Sequence, residues 1–227
     1  MPERAVSTTK HARRGRPDEP IRAEQRRAQK TRAAILSTAF AEFAAKGFEA
    51  ASIRGIAERA QISHAQITYH FPSKDILWHA VAKSVFERIR CEAEKYLMGT
   101  QPARASERVR LVYQAIFQFT AEHPEFHRFM LQEALGPSPR LQWLADTILK
   151  PFINWLLPQI QEAQDEGTLP KIEPIMIHYL LTSLTATLSG FGAEMLATAN
   201  ISSSDPKIVD AHWRAVETLI FNRQMPQ

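Results

Sequence analysis

The sequence is poor in cysteine: Cys91 is the single one among 227 residues. A lone thiol excludes an intramolecular disulfide framework and suits a reducing compartment. Cys91 therefore reads as a small residue packed on a helix, since a redox bridge within the chain has no second partner. Long apolar runs are also missing. None approaches the ~20 residues of a membrane span, so no membrane partner is expected. The basic N-terminus has no apolar stretch behind it, which argues against a secretory signal and for a cytoplasmic protein. The sequence shows no phosphate-binding loop, no nucleophile–base pairing and no metal framework. Neither enzyme activity nor a cofactor or metal is expected. Sustained period-two alternation and internal repeats are absent as well, and the former argues against a sheet.

What is present fits an all-α protein. At 227 residues the chain can form one large domain, or a small one plus a larger one. A chain of this size buries roughly 70% of its unfolded surface, so it needs neither disulfide nor structural metal. The net charge of +4 is unevenly spread. Residues 1–74 carry 14 Lys and Arg against 7 Asp and Glu, or +7; residues 75–227 carry 14 against 17, or −3. A basic front third on a mildly acidic remainder suggests that only the front meets a polyanion. A solvated charged face would show the same asymmetry, so charge alone does not decide.

Residues 1–20, with "KHARRGRPDEP", hold almost no apolar side chains and are expected to form a disordered basic arm. Arg13, Arg14 and Arg16 around Gly15 suit a narrow minor groove, and suit a solubilising tail equally well. From Ile21 onward the pattern is helical. Ile35, Leu36, Ala39, Phe40 and Phe43 recur at helical spacing, and Gly47 is expected to end that helix as a left-handed cap. Ser52 then caps a short helix over 53–60, and Ser63 opens another over 63–70. Gln66 stands three positions after Ser63, as a capping box requires. Pro72 stops the second short helix, and Ser73 caps the next. Longer helices are expected over roughly 105–122, 124–135, 139–166, 173–199 and 206–223, with joints that include Pro102, Gly136-Pro137 and Gly167.

Two short helices after a longer one form a helix-turn-helix pattern. Ile62, Ile67 and Phe71 point toward the first short helix. At ~100° per residue, Ala65 and Tyr69 then face outward, flanked by Gln66 and Thr68. The run "SHAQITYHFPSK" therefore presents groups that donate and accept hydrogen bonds on one free face, as the major groove demands.

The stretch "AAILSTAFAEFAAKGFEAASIRGIAERAQISHAQITYHFPSKDILWHAV" (33–81) resembles the DNA-binding domain of the tetracycline-repressor (TetR) family. The matching elements are the helix ending "KGF", the hydroxyl of Ser52, "IRGIAERA" and "ITYHFPSKDIL". The rest matches only in character, and "HPEFHRFMLQEALG" bears a weaker resemblance to family regulators of nitrogen or pyrimidine use. The resemblance implies a helix-turn-helix domain over 21–74 and a helical effector-binding and dimerisation domain over 75–227. It implies a transcriptional regulator of double-stranded operator DNA, most often a repressor released by a small molecule. Arg54 would reach a base or phosphate. His64, Ala65, Gln66 and Thr68 would face base edges, with Gln66 suited to adenine, and Ser63 would lie among the DNA-binding residues. Tyr69, His70 and Lys74 would hold phosphates. One departure stands in the turn, where the family commonly has glycine and this chain has Gln61. A left-handed backbone there costs roughly 1–2 kcal/mol.

In the larger domain, Phe117, Phe126, Phe129, Trp143 and Trp155 are candidate pocket walls, with His178 and Thr182 as polar groups. Each is equally well explained as core or as a helix face. Leu181, Leu184, Leu188, Val216, Leu219 and Ile220 are candidates for a two-fold homodimer interface as in the family; an intramolecular core is the alternative. His123 and His127 in "HPEFH" have the i, i+4 spacing of zinc ligands, but Pro124 favours a helix start between them and no third ligand follows. A family member without a sensor, acting through protein partners or DNA organisation, is the alternative function. A helical-bundle enzyme has the least support.

Overall fold

The computed structural model describes residues 18–100 and 104–221. The arm residues Arg13, Arg14 and Arg16 and the joint at Pro102 lie outside the described residues. Helix α1 (Asp18–Ala50) turns Ile35, Ala39 and Phe43 into the core. Its break at Gly47 differs from the expected cap. With φ 73° and ψ 172°, Gly47 lies outside the left-handed helical region, in a region essentially restricted to glycine. The chain then makes one more helical turn that carries Phe48.

Helices α2 (Ile53–Ala60) and α3 (His64–His70) follow the expected pattern. Ser52 Oγ accepts from Gly55 N at 3.0 Å. The turn closes with Gln61 N donating to Glu58 O and Ile62 N to Ala57 O, the paired bonds of a Schellman motif. That motif puts Gln61 in the left-handed region, at φ 56° and ψ 40°. Helix α4 (Lys74–Thr100) starts at Ser73, whose Oγ accepts from Ile76 N at 3.1 Å.

These four helices share a core of Phe43, Ile56, Ile67, Phe71 and Trp78, which is also joined by Phe129 and Leu144 from later in the chain. The residue 74/75 boundary thus falls at the head of a 27-residue helix whose first half packs in that core. Helix α5 (Ala105–Glu122) separates this core from a second one. Phe119 joins the first and Phe117 the second. Two residues apart means ~200° around a helix, so α5 divides the two. Its N-terminus lacks a side-chain cap of its own; Glu166 supplies one, accepting from Ala105 N at 3.0 Å and Ser106 Oγ at 3.0 Å.

Helix α6 (Glu125–Ala134) is the element α1 packs against most extensively. The expected helix over 139–166 is instead α7 (Pro139–Leu144), a π segment (Ala145–Leu149) and α8 (Lys150–Asp165). Pro151, with no N–H to donate, interrupts the regular ladder there. Helices α9 (Pro174–Ala199) and α10 (Pro206–Val216), the latter extended by a π segment (Glu217–Phe221), complete the second core with Leu181, Trp213 and Val216.

Helix α9 corrects one expectation. By length and composition alone it is apolar enough to cross a bilayer. Leucines spaced among Thr182, Ser183, Thr185 and Thr187 hid this in the sequence. The helix packs on α5, α6 and α8 as a core helix of the larger domain.

Candidate nucleic-acid interface

The free face of α3 is built by its buried one. Ile67 is fully buried, and the flanking Phe71 is 2% exposed. That fixes the roll of a seven-residue helix and leaves Ser63, His64, Ala65 and Gln66 exposed. Tyr69 is 83% exposed, a large aromatic area to leave in water. Thr68 and His70 are half-buried at its sides. Gln66 also helps to start the helix it sits on. Its Oε1 accepts from Ser63 N at 3.0 Å, and its own N–H donates to Ser63 Oγ at 3.2 Å. The Thr68 hydroxyl points at the carbonyls of His64 and Ala65, leaving its oxygen to accept.

Arg54 is exposed on α2, with Nε 3.2 Å from Glu58 Oε1. Such a surface pair is worth little, so the guanidinium is readily given to an anion. Beneath α2 lies Glu42, fully buried, which sequence reasoning missed. Arg59 Nη1 donates to its Oε2 at 2.6 Å, and Lys46 Nζ stands 2.6 Å from its Oε1. Burial alone would raise its pKa, but hydrogen bonds from Lys46 and Arg59 outweigh burial and hold the carboxyl below its ordinary value. Glu42 thereby ties α2 to α1. The available signal was a carboxylate inside the apolar stripe of residues 35–43.

Lys74 is placed differently from expectation. Its Nζ donates to the carbonyls of Phe48 at 2.9 Å, Glu49 at 3.2 Å and Ala51 at 3.2 Å. An ammonium has three protons, so all are taken by the end of α1. A direct phosphate contact would require breaking one of these bonds.

Residues 35–81, which contain this constellation, match the family described as bacterial regulatory proteins, tetR family. This stretch is a DNA-binding domain of the tetR family. Over 195 residues it is 24% identical to the HTH-type transcriptional regulator RutR of Escherichia coli K12, covering 86% of this chain and 90% of RutR. Among solved structures it resembles SCO4942 of Streptomyces coelicolor, at 25% identity and a TM-score of 0.63, over 84% of this chain and 98% of that one. A TetR family transcription regulator of Marinobacter aquaeolei VT8 superposes with a TM-score of 0.66 at 17% identity, over 88% of this chain and 100% of its own. The protein is a DNA-binding transcriptional regulator of the tetR family, with an N-terminal helix-turn-helix and a larger helical C-terminal part.

In this tetR-family chain the seven pocket candidates do not come together. Phe126 and Phe129 lie in the first core, with Trp143 packed against it; Phe117 lies in the second. Trp155 is 44% exposed and Thr182 is exposed. His178 is half-buried beside fully buried Tyr113, its Nδ1 2.6 Å from the phenol oxygen. Burial lowers the His178 pKa and raises that of Tyr113. Clefts of about 410 and 270 Å³ both lie along α4, and none of the seven lines either.

The dimer candidates also divide. Leu181, Leu188 and Val216 are buried within the protomer, in its second core. Leu219 is 61% exposed, and Leu184 and Ile220 are half-buried. Leu180 and Phe191 on α9 are exposed as well. Helical spacing finds an apolar stripe but cannot say which neighbour covers it. The two histidines of "HPEFH" fall on different elements. His123 is the C-cap of α5 and accepts from Arg88 at 2.5 Å, while His127 on α6 lies 3.3 Å from where a side chain on Gly190 would begin.

Proposed function

We propose that the chain is a dimeric transcriptional repressor that leaves its operator when a small molecule binds the larger domain. Two copies of α3 enter successive major grooves of a near-palindromic site. His64, Ala65, Gln66 and Thr68 face base edges, and Ser63, Arg54, Tyr69 and His70 hold the backbone. The observation that carries DNA reading is the exposure of Tyr69, at 83%, beside the polar residues of a helix anchored through Ile67. Dimerisation is supported by Leu180, Leu184 and Phe191 on α9, whose spacing places them along one side. Leu219 extends the exposed apolar surface. A single short reading helix covers too few base pairs, and paired half-sites about one turn apart remedy this. Release requires that the effector bind the DNA-incompetent state more tightly than the competent one. Such a regulator works in the cytoplasm, with the DNA.

A second reading is favoured by one observation. The seven pocket candidates are dispersed over two cores and the surface, which favours a regulator that acts through protein partners and has no small-molecule sensor. One experiment tests both. The purified protein is titrated against DNA from upstream of its own gene, with excess nonspecific competitor at roughly physiological salt, because basic arms bind any DNA when salt is low. A competitor-resistant shift of a dimer, reversed by a metabolite fraction, supports the first reading. A resistant shift that no small molecule reverses supports the second. If random-sequence selection also yields no preferred site, both fail.

A further inference from the structure

We propose that Arg140 is a positioning residue for DNA reading, acting through the Phe48 ring and Lys74 on the corner from which α3 departs. The inference rests on the reading above, that paired α3 helices contact the operator.

Arg140 belongs to α7, in the larger domain. Its Cζ stands 3.7 Å from the centroid of Phe48, a ring at the end of α1. Lys74 Nζ stands 4.4 Å from the same centroid. A ring's electron-rich faces attract cations, but two cations repel one another unless each has its own countercharge or acceptors. Both conditions are met. Arg140 Nε lies 3.2 and 3.3 Å from the two oxygens of Glu133, which is 4% exposed and also accepts from Ser138 Oγ at 3.1 Å. Lys74 is satisfied by the three carbonyls that close α1.

The arrangement joins four helices at one ring. Phe48 ends α1, Lys74 begins α4, and Glu133 with Arg140 forms the corner between α6 and α7. Helix α6 also approaches the α1 backbone closely beside it: a Cβ built on Gly47 would lie 2.8 Å from Gln132 Oε1. Phe71, the C-cap of α3, lies three residues before Lys74. A shift of the α6–α7 corner therefore moves Phe48, the carbonyls gripped by Lys74, and the α3–α4 junction together. Packed interfaces of this kind shift between discrete arrangements rather than deforming continuously. Arg140 thus sets the direction of the reading helix and contributes no phosphate contact, since its guanidinium is committed to Glu133, to the ring and to Glu49 of α1, 3.6 Å from Nη2.

The test uses the full-length protein, random-sequence selection, and gel-shift titration of the selected operator and of versions with half-site spacing altered by one base pair. The variants are Arg140→Ala and Glu133→Gln, with Gln66→Ala as reference. Arg140→Ala is expected to weaken operator binding roughly 3- to 30-fold. It should also narrow the discrimination between correct and altered spacing and leave the salt slope at the wild-type value. Glu133→Gln should move the same way by less. A salt slope reduced by about one would make Arg140 a phosphate contact and overturn the inference. Wild-type affinity and spacing preference in Arg140→Ala would overturn it too. If Arg140→Ala does not fold, Glu133→Gln decides: relaxed spacing supports the role, and wild-type spacing removes it. Failure of the underlying reading looks different, because the wild type then selects no motif and Gln66→Ala changes no base preference.

Discussion

Gln66 Oε1 accepts the backbone N–H of Ser63 at 3.0 Å. The side chain best suited to read adenine is thus also half of the capping box that starts its own helix. A bidentate contact needs the amide oxygen as acceptor and the amide nitrogen as donor. DNA must therefore share that oxygen with Ser63 or displace it.

The first prediction separates capping from reading. Ser63→Ala removes the hydroxyl half of the cap and should lower stability by about 1 kcal/mol, with base preference retained. Gln66→Ala should cost stability as well and lose discrimination at one base position. Thermal melts and binding to single-base operator variants measure both. If Gln66→Ala melts lower but reads every base as the wild type does, Gln66 is a cap only.

Lys74 gives the second. Removing it leaves three carbonyls at the end of α1 short of their donor. Lys74→Ala should lower stability by about 1–3 kcal/mol. The salt slope of DNA binding should stay unchanged, because the ammonium is already occupied. An unchanged melting temperature with a slope reduced by about one would restore the phosphate role.

The third concerns the turn. Gln61 adopts φ 56° with a side chain that disfavours it. Gln61→Gly should relieve roughly 1 kcal/mol of strain, raising the melting temperature by about 2–4 °C for a chain of this size. An equal or lower melting temperature would show that the Schellman motif carries no net strain.

The fourth is a pH dependence. Burial depresses the pKa of His178 below its ordinary 6.5, so the unfolded state binds its proton first on acidification. The contribution is present above the unfolded pKa and is lost as pH falls below about 6.5 toward the folded value. His127, half-buried on α6 against Gly190 of α9, adds a share of the same sign. The melting temperature should fall on acidification through that window, and His178→Asn should flatten the fall while starting from a lower value. A wild-type curve flat from about pH 7 to 5 would contradict the burial argument.

The sequence by itself determined the helix-turn-helix. Its short helices are delimited by local chemistry: Ser52, Ser63 and Pro72 act on neighbours within a few residues, and Ile67 and Phe71 fix the buried face by spacing alone. The free face with Tyr69 follows from the same spacing. Only the tertiary structure decided the rest, because the deciding partners are far apart in the chain. The protons of Lys74 reach carbonyls 23 to 26 residues earlier. Glu42 meets Arg59, and Arg140 meets the ring of Phe48. Gly47 signalled a break, but only the structure shows that Gln132 of α6 lies where a side chain there would be. In α9 and α10 a strong apolar pattern named leucines without assigning them. Leu181 and Leu188 went to the core and Leu180 to the surface, a difference set by which helices pack alongside.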